Sequence, residues 1–317
     1  MTLFFYYGIM KAILYTMYRR RVNMNKITKK AYGKLNLSLD IVGKREDGYH
    51  LVRMIMQTVN LYDELMILKT EKPGITLTTN REDLPTNEDN LIYKAAKLLI
   101  DEFSIQEGVS IHLTKRIPIA AGMAGGSADC AATLTGINTL FDLGLTEKDL
   151  QERAVTMGAD IPYCIMGGTA LSEGIGEILT PLTPVPECSI LLIKPPISIS
   201  TKWVYQTLKW DTLTSHPNTE KMLSALREHD LQTLSDTMEN VLETVTIPAN
   251  PIIASIKDKM LSLGASNAMM SGSGPTVFGL FPDKAAGEKA YSICKDLYPN
   301  CQVEWTRFIS SKEIKSK

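Results

Sequence analysis

One stretch of this sequence decides the fold: Ile117-Pro-Ile-Ala-Ala-Gly-Met-Ala-Gly-Gly-Ser-Ala128. Its glycines let the backbone approach a ligand closely, and the small-residue run at 128–140 that follows predicts a helix. The start of a helix presents unpaired N–H groups and the positive end of the helix dipole, which together favour phosphate. Ser127 stands where a helix N-cap or a phosphate contact would stand. The stretch predicts a phosphate-binding loop, with a glycine turn that merely caps a helix as the alternative; no Gly-Lys-Ser/Thr of the common P-loop follows.

A strand that carries a lysine precedes the loop. Apolar and polar residues alternate from Leu35 to Ile41, which is the period of a β-strand with one buried face. Lys34 lies at the start of this strand, out of phase with the apolar residues. Its side chain therefore faces either a cleft or the solvent.

An aspartate follows the loop, in Gly158-Ala-Asp-Ile-Pro162. Asp160 lies two residues before a proline, which is where an ordinary helix-capping aspartate would stand. The stretch by itself leaves a capping role and a chemical role both open. The same holds for Ser271-Gly-Ser-Gly-Pro275, which by default is a tight turn between two strands.

The remaining patterns predict an α+β protein of two domains. Prolines concentrate between 181 and 196, so we place the domain boundary near residue 185, with one domain at 27–185 and the other at 186–317. The elements on which later comparisons depend are strands at 49–59 and 64–68 and helices at 90–103, 201–209 and 230–241.

Composition excludes several classes of protein. The 317 residues carry a formal net charge of −1, so no basic field exists to hold nucleic acid or an anionic membrane. The five cysteines are an odd number without C-x-x-C spacing, and there are four histidines. We therefore expect neither a disulfide framework nor a zinc site, and we expect a cytoplasmic location.

The first 26 residues form an extension whose role the sequence leaves open. Residues 3–18 are mostly apolar but contain Lys11, and three arginines follow at 19–21. Secretory signals place their positive charge before the apolar run, and membrane spans are longer. We expect this segment to lie outside the fold, with a membrane or surface anchor as the alternative.

Taken together, seven stretches resemble the GHMP kinases, the family of galactokinase, homoserine kinase and mevalonate kinase. They are Lys34-Leu-Asn-Leu37, Lys44-Arg-Glu-Asp-Gly-Tyr-His50, Glu88-Asp-Asn-Leu91, Pro118–Ser127, Gly158-Ala-Asp-Ile-Pro162, Glu173-Gly-Ile-Gly-Glu177 and Met270-Ser-Gly-Ser-Gly-Pro-Thr276. The resemblance covers about residues 27–310. The glycine loop is typical of the whole family, whereas Asp47-Gly-Tyr-His50 resembles the members whose acceptor carries a cytidine diphosphate.

The resemblance implies a fold and a reaction. The first domain would be similar to the second domain of ribosomal protein S5, the second domain would be ferredoxin-like, and the active site would lie in the cleft between them. ATP, with Mg²⁺, would transfer its γ-phosphate to a hydroxyl of a cytidine diphosphate-linked alcohol. We expect a monomer or a weak homodimer that binds this small molecule and neither nucleic acid nor membrane.

The resemblance also implies roles for particular residues. Lys34 and Asp160 would flank the reacting hydroxyl as the catalytic pair. ATP would bind Pro118, Ala120, Ala121, Gly122, Met123, Ala124, Gly125, Gly126 and Ser127, with Asn90 near the adenine. The substrate would bind Asn36, Tyr49, His50, Thr201 and Tyr205; the two tyrosines would sandwich the cytosine, and His50 would read its edge.

The chain departs from the family pattern at two places. Ala31-Tyr-Gly33 stands before the lysine, where the family usually has Ala-Pro-Ala, and the loop carries Ala121 and Ala124 where many relatives have glycine. Three other interpretations stay open from the sequence. They are another GHMP kinase of the homoserine or mevalonate type, a catalytically silent relative, and a nucleotide-binding interaction protein without an acceptor.

Overall fold

The computed structural model of the chain describes residues 25–316. Its first sheet has seven strands in the described part: β1 (Lys26–Lys44), β2 (His50–Thr70), β3 (Ile75–Thr79), β4 (Gly108–Thr114), β5 (Thr169–Glu173), β6 (Ile178–Pro181) and β8 (Glu239–Asn240). The order across the sheet is β3-β4-β2-β1-β8, and β5 pairs with both β2 and β6. The second sheet has four strands: β7 (Ser189–Lys194), β9 (Asn267–Met270), β10 (Val277–Phe281) and β11 (Gln302–Arg307).

The helices pack on these sheets. In chain order they are α1 (Leu91–Glu102), α2 (Gly125–Leu140), α3 (Glu147–Ala154), α4 (Ile161–Met166), α5 (Thr201–Thr207), α6 (Thr219–Glu228), α7 (Leu231–Asp236), α8 (Glu243–Ala249), α9 (Ile252–Ser262), α10 (Lys284–Leu297) and α11 (Ser311–Lys315). A single 3₁₀ turn at Trp210–Thr212 follows α5. Two sheets of mostly antiparallel strands, with helices packed on them, confirm the predicted α+β class.

The hairpin of β1 and β2 is the longest feature of the first sheet. Its pairing runs from Lys26 opposite Leu68 to Lys44 opposite His50, so the two strands predicted at 49–59 and 64–68 are one strand. The register changes between Tyr32 and Lys34 and again between Asn36 and Ser38. Such irregularities bend and twist a hairpin, and both lie beside residues that line the active-site cavity described below.

Small side chains on α2 let this helix lie close to the sheet. A Cβ atom at Gly136 would stand 2.6 Å from Cδ1 of Ile67 on β2. The buried face of α2 packs with α1 and with β2 and β4 in one apolar cluster that includes Leu99, Ile111 and Leu134. This packing sets the position of the first turn of α2, which continues the glycine loop.

The second sheet has the predicted ferredoxin-like arrangement. Numbered along the chain, its strands lie in the order fourth, first, third, second, and each neighbouring pair is antiparallel. Helix α9 lies between the first and second strands in sequence, and α10 lies between the third and fourth. The predicted turn at 271–275 joins β9 to β10.

The helix predicted at 230–241 is wrong in its second half. It ends at Asp236, and the next residues form β8, which pairs in parallel with Ser38 and Leu39 of β1. The side-chain amide of buried Asn240 donates to the carbonyls of Met270 and Gly272, both at 2.8 Å, and so holds this segment extended. Because β8 brings a segment of the second half into the first sheet, the division at residue 185 stays a prediction.

Residues 1–24 lie outside the described part of the chain, and so does the predicted extension except for its last two residues. Among the residues that the structure describes, no helix has the length and apolar character needed to cross a membrane.

Candidate active site

A cavity of about 1180 Å³ is lined by residues from both halves of the sequence. Its wall is formed by β1, by the turn between β1 and β2, by the glycine loop, by α5 and by the turn at 271–275. Every residue predicted for the site lines this cavity except Met123. The structure thus brings together residues that are up to about 170 positions apart in sequence, from Lys34 to Tyr205.

Lys34 is buried, with 4% of its surface exposed, so the solvent-facing alternative is wrong. Its Nζ donates to Oδ1 of Asn36 at 2.7 Å and lies 3.8 Å from Oδ2 of Asp160. The amide nitrogen of Asn36 contacts the Sδ atom of Met54 at 3.1 Å, and a thioether is a weak acceptor. The arrangement presents one ammonium and one amide donor to the cavity.

Asp160 does not cap a helix, although it stands at the N-cap position of α4. Its backbone is helical, with φ −79° and ψ −14°, whereas capping residues are usually extended. Among the described residues no backbone N–H of α4 donates to its carboxylate. The side chain is 32% exposed, lines the cavity and faces Lys34, which favours a chemical role over the capping one.

Helix α2 begins three residues earlier than predicted, at Gly125 instead of residue 128. Its N-cap residue is Ala124, so Ser127 lies inside the first turn and is not the N-cap. Gly122 has φ +73°, and a Cβ atom there would stand 2.0 Å from the carbonyl oxygen of Ser271. Only glycine allows this close approach between the loop and the turn at 271–275. The hydroxyl of Ser271 donates to the Gly122 carbonyl at 3.0 Å and joins the two segments.

Two residues predicted to bind ATP, Met123 and Asn90, make hydrogen bonds to the protein around the cavity. The side chain of Met123 is buried in the core, and its carbonyl accepts from the backbone N–H of Lys34 at 3.1 Å. Asn90 lines the cavity, but its Oδ1 caps α1 by accepting from Ile92 N at 2.9 Å, and its amide nitrogen donates to Pro85 O at 2.7 Å. Both residues hold the walls of the cavity in place.

His50, Tyr49 and Tyr205 lie in the same part of the cavity wall. The rings of His50 and Tyr205 are 5.5 Å apart between centroids, with an angle of 49° between their planes. Tyr49 is 61% exposed at the rim. Burial, with the charge of Lys44 adding to it, lowers the pKa of His50 below the ordinary histidine value. Its imidazole is therefore neutral at neutral pH, with one nitrogen able to donate and the other to accept.

Thr201 connects α5 to the turn at 271–275. Its hydroxyl lies 2.8 Å from that of Ser273, and both residues line the cavity. Burial, with the charge of Asp160 adding to it, raises the pKa of the Tyr205 phenol above its usual range. Tyr205 therefore stays neutral and presents an uncharged ring.

Sequence reasoning missed one group of charges. Lys115 lies directly before the glycine loop, and its Nζ contacts carboxylate oxygens of Asp63 at 2.6 Å and of Asp129 at 2.5 Å. All three side chains are buried. The sequence does place Lys115 and Asp129 on either side of the glycine loop, which is compatible with a contact between them. Nothing in the sequence connects either residue to Asp63 on β2.

Fold and site define a GHMP kinase, a kinase of small molecules. The chain matches the family profile described as GHMP kinases N terminal domain at residues 90–168 and the one described as GHMP kinases C terminal at residues 222–300. It is 54% identical over 291 residues to 4-diphosphocytidyl-2-C-methyl-D-erythritol kinase of Lachnoclostridium phytofermentans, and this alignment covers 92% of this chain and 100% of that protein. It is 48% identical over 285 residues to the protein of the same name from Clostridium perfringens, and this alignment covers 90% of this chain and 99% of that protein. The chain belongs to the 4-diphosphocytidyl-2-C-methyl-D-erythritol kinase family.

Solved structures agree with this membership. A crystal structure of 4-(cytidine 5'-diphospho)-2C-methyl-D-erythritol kinase is similar with a TM-score of 0.77 at 28% identity, over 90% of this chain and all of that one. Homoserine kinase from Cytophaga hutchinsonii has the same fold, with a TM-score of 0.73 at 21% identity over 90% of this chain and 95% of that one.

Proposed function

We propose that this protein transfers the γ-phosphate of ATP to the 2-hydroxyl of 4-diphosphocytidyl-2-C-methyl-D-erythritol, in the formation of isoprenoid precursors by the non-mevalonate route. The observation that carries the proposal is the Lys34–Asp160 pair, which shares one cavity with the glycine loop and with the rings of His50 and Tyr205. A phosphate cradle, a charged pair for a hydroxyl and an aromatic slot are the three parts that this reaction needs.

Phosphoryl transfer depends mainly on positioning and on charge stabilisation. In the proposed step the substrate oxygen bonds to the γ-phosphorus while the bond from that phosphorus to the bridging oxygen of ADP breaks. Asp160 accepts the hydroxyl proton and orients the oxygen. The ammonium of Lys34, aimed by its 2.7 Å hydrogen bond to Asn36, neutralises charge as the oxygen attacks.

ATP is assigned to the glycine loop. The first turn of α2 directs N–H groups and a helix dipole toward the phosphates, and the cavity gives the backbone of Gly126 room, since a Cβ atom there would have only Leu91 near it, at 3.9 Å. Mg²⁺ would accompany the nucleotide and shield its phosphate charge. Among residues 25–316 no group of three or more His, Cys, Asp or Glu side chains could hold a metal, so phosphate oxygens and water would supply most of the ligands.

The cytidine end is assigned to Tyr49, His50 and Tyr205. Stacking of a base on an aromatic ring stabilises binding by about 1–3 kcal/mol and tolerates any base. Selectivity for cytosine must therefore come from hydrogen bonds, and neutral His50 is the side chain proposed to make them. Thr201 and Asn36 would lie along the alcohol between this slot and the γ-phosphate.

We expect the enzyme to work in the cytoplasm as a monomer or weak homodimer, without nucleic acid or membrane as a partner. All five cysteines are free thiols, which suits a reducing compartment. The net charge of −1 offers no general attraction to anionic polymers.

A coupled ADP-release assay tests the proposal. ADP should form rapidly with ATP and the diphosphocytidyl alcohol, and only at background rate with ATP alone, homoserine or mevalonate. Turnover of homoserine or mevalonate would assign the chain to another GHMP activity. ATP binding without turnover of any of these acceptors would contradict the proposal.

A further inference from the structure

We infer that Lys115, Asp63 and Asp129 form a clasp that positions the glycine loop for ATP, and that the carboxyl group of Asp129 is protonated within it. The clasp, defined by these three residues, is a set of positioning residues and does not include the catalytic pair. The inference rests on the proposed function, because it takes the glycine loop as the ATP site.

Each end of the loop is fixed to the same buried point. Lys115 precedes the loop and Asp129 lies in the first turns of α2, and the hydrogen bond from Lys115 Nζ to Asp129 Oδ2 closes the segment at 2.5 Å. Asp63, on β2, contacts Lys115 Nζ at 2.6 Å with one oxygen, and its other oxygen accepts from Arg116 N at 2.5 Å and Ile117 N at 2.8 Å. The loop is thereby anchored to the central hairpin.

The ammonium of Lys115 also lies directly under the start of α2. A Cβ atom at Gly125 would stand 3.0 Å from Lys115 Nζ, which leaves little room between helix and clasp. Lys115, Asp129 and Gly125 all line the cavity. A displacement of the clasp would therefore move the N–H groups that the loop offers to phosphate.

The charges of the clasp do not balance unless one carboxyl group is neutral. Two carboxylates share one ammonium in a buried site, where a second uncompensated negative charge is costly. Asp63 accepts from the ammonium and from two N–H groups, whereas Asp129 accepts from the ammonium alone. The carboxyl group of Asp129 also interacts with that of Asp63, and its buried Oδ1 accepts no hydrogen bond from the described residues. The proton therefore belongs on Asp129.

The other titratable groups around Asp129 agree with this assignment. Burial raises the pKa of Asp129 to about 8, with the charge of Asp63 adding to the rise and that of Lys115 opposing it. Burial raises the pKa values of the thiols of Cys130 on α2 and Cys164 on α4, so both thiols stay uncharged and add no further charge beside Asp129. Above about pH 8 the clasp would gain a negative charge beside the phosphate site, and ATP should bind more weakly.

Two substitutions at one position test the clasp. Asp129→Asn keeps the shape and an oxygen for Lys115 and imitates the protonated state, so the KM for ATP should stay within about threefold of the wild-type value at pH 7.5. Asp129→Ala removes the anchor but leaves the balanced pair of Lys115 and Asp63. Because hydrogen bonds to charged groups contribute about 1.5–3 kcal/mol, its KM for ATP should rise roughly ten- to a hundredfold. The KM for the alcohol should change less than twofold in both.

Cys130→Ala is the matched control, since it shortens the neighbouring buried side chain on the same helix without touching the loop. Its KM for ATP should be unchanged, even if its melting temperature falls as far as that of Asp129→Ala. Equal effects of Asp129→Ala and Cys130→Ala on the KM for ATP would overturn the positioning role. So would a KM in Asp129→Ala within twofold of wild type.

The pH profile tests the proton. From pH 6.5 to 9.5 the KM for ATP of the wild-type enzyme should rise above about pH 8, and that of Asp129→Asn should stay flat. Parallel profiles would overturn the protonation of Asp129.

Calorimetric affinities for ATP, measured without acceptor, separate this test from the proposed function. They report the effect of the clasp on ATP binding even if the acceptor were another alcohol. A wild-type protein that binds no ATP would overturn both the clasp and the proposed function.

Discussion

At the scale of single residues, Asp160 differs from the aspartates that do cap helices in this chain. Asp230, at the N-cap of α7, accepts from Thr233 N at 3.0 Å with its side chain, and Asp283 caps α10 in the same way. Asp160 occupies the equivalent position before α4, yet its carboxylate faces Lys34. The difference lies in the backbone, which is extended at Asp230 and helical at Asp160.

This contrast predicts different effects of substitutions at the two aspartates. Asp160→Ala should leave the free energy of unfolding nearly unchanged. Asp160→Asn should lower kcat by on the order of 10²–10⁴, the range for positioned acid–base groups. Asp230→Ala should lower the free energy of unfolding by about 1 kcal/mol and leave kcat intact. Urea unfolding and ADP release measure the two quantities. Near-normal kcat in Asp160→Asn would return Asp160 to a structural role.

His50 leads to a prediction about pH. Because its pKa is lowered from the ordinary value near 6.5, His50 stays neutral as the pH falls to that value and becomes charged only below it. The KM for the alcohol should therefore be constant from about pH 8 to pH 6.5 and should rise at lower pH, when the accepting nitrogen is lost. A KM that falls on acidification would mean that charged His50 binds the diphosphate, and would contradict its role at the base.

At the scale of elements, the glycine loop contains backbone strain, since Ala120 and Ala124 both have positive φ, and two of its three alanines, Ala121 and Ala124, make this strain testable. Ala124 adopts a left-handed conformation, with φ +54° and ψ +32°, which costs a residue with a Cβ atom roughly 1–2 kcal/mol. Ala121 is buried at 3% exposure, and its φ is negative. The two departures from the family pattern therefore have different consequences.

Ala124→Gly should stabilise the protein by up to about 1 kcal/mol, because relief of the strain exceeds the greater chain entropy of glycine. Ala121→Gly is the matched control and should destabilise the protein by about 1–2 kcal/mol, since glycine there relieves no strain, adds chain entropy to the unfolded state and loses a buried methyl group. Melting temperatures check both. A lower melting temperature for Ala124→Gly would show that the left-handed conformation carries no strain.

At the scale of the whole molecule, local patterns predicted the parts and long-range contacts decided how they meet. The glycine loop and the α+β class could be predicted because small-residue runs and alternation are local features, whereas the ferredoxin-like second domain was implied only by the family resemblance. The burial of Lys34 could not, since it depends on register changes in the β1–β2 hairpin that tertiary packing determines. The apolar pattern also could not show that the helix predicted at 230–241 ends before Asn240, whose side chain instead donates hydrogen bonds to Met270 and to Gly272 in the turn at 271–275. The clasp was missed for the same reason, because Asp63 is 52 residues from Lys115.

The measurement that tests the central claim most directly compares the cytidine substrate with its uridine analogue in the ADP-release assay. Uracil reverses donor and acceptor at the edge that His50 is proposed to read, and each mispaired hydrogen bond costs about 0.5–1.5 kcal/mol, or more where a buried donor is left unpaired. We predict that kcat/KM for the cytidine substrate exceeds that for the uridine analogue by roughly tenfold or more, and that His50→Ala removes most of the difference. Equal kcat/KM for the two substrates would contradict the assignment of the cavity to cytosine.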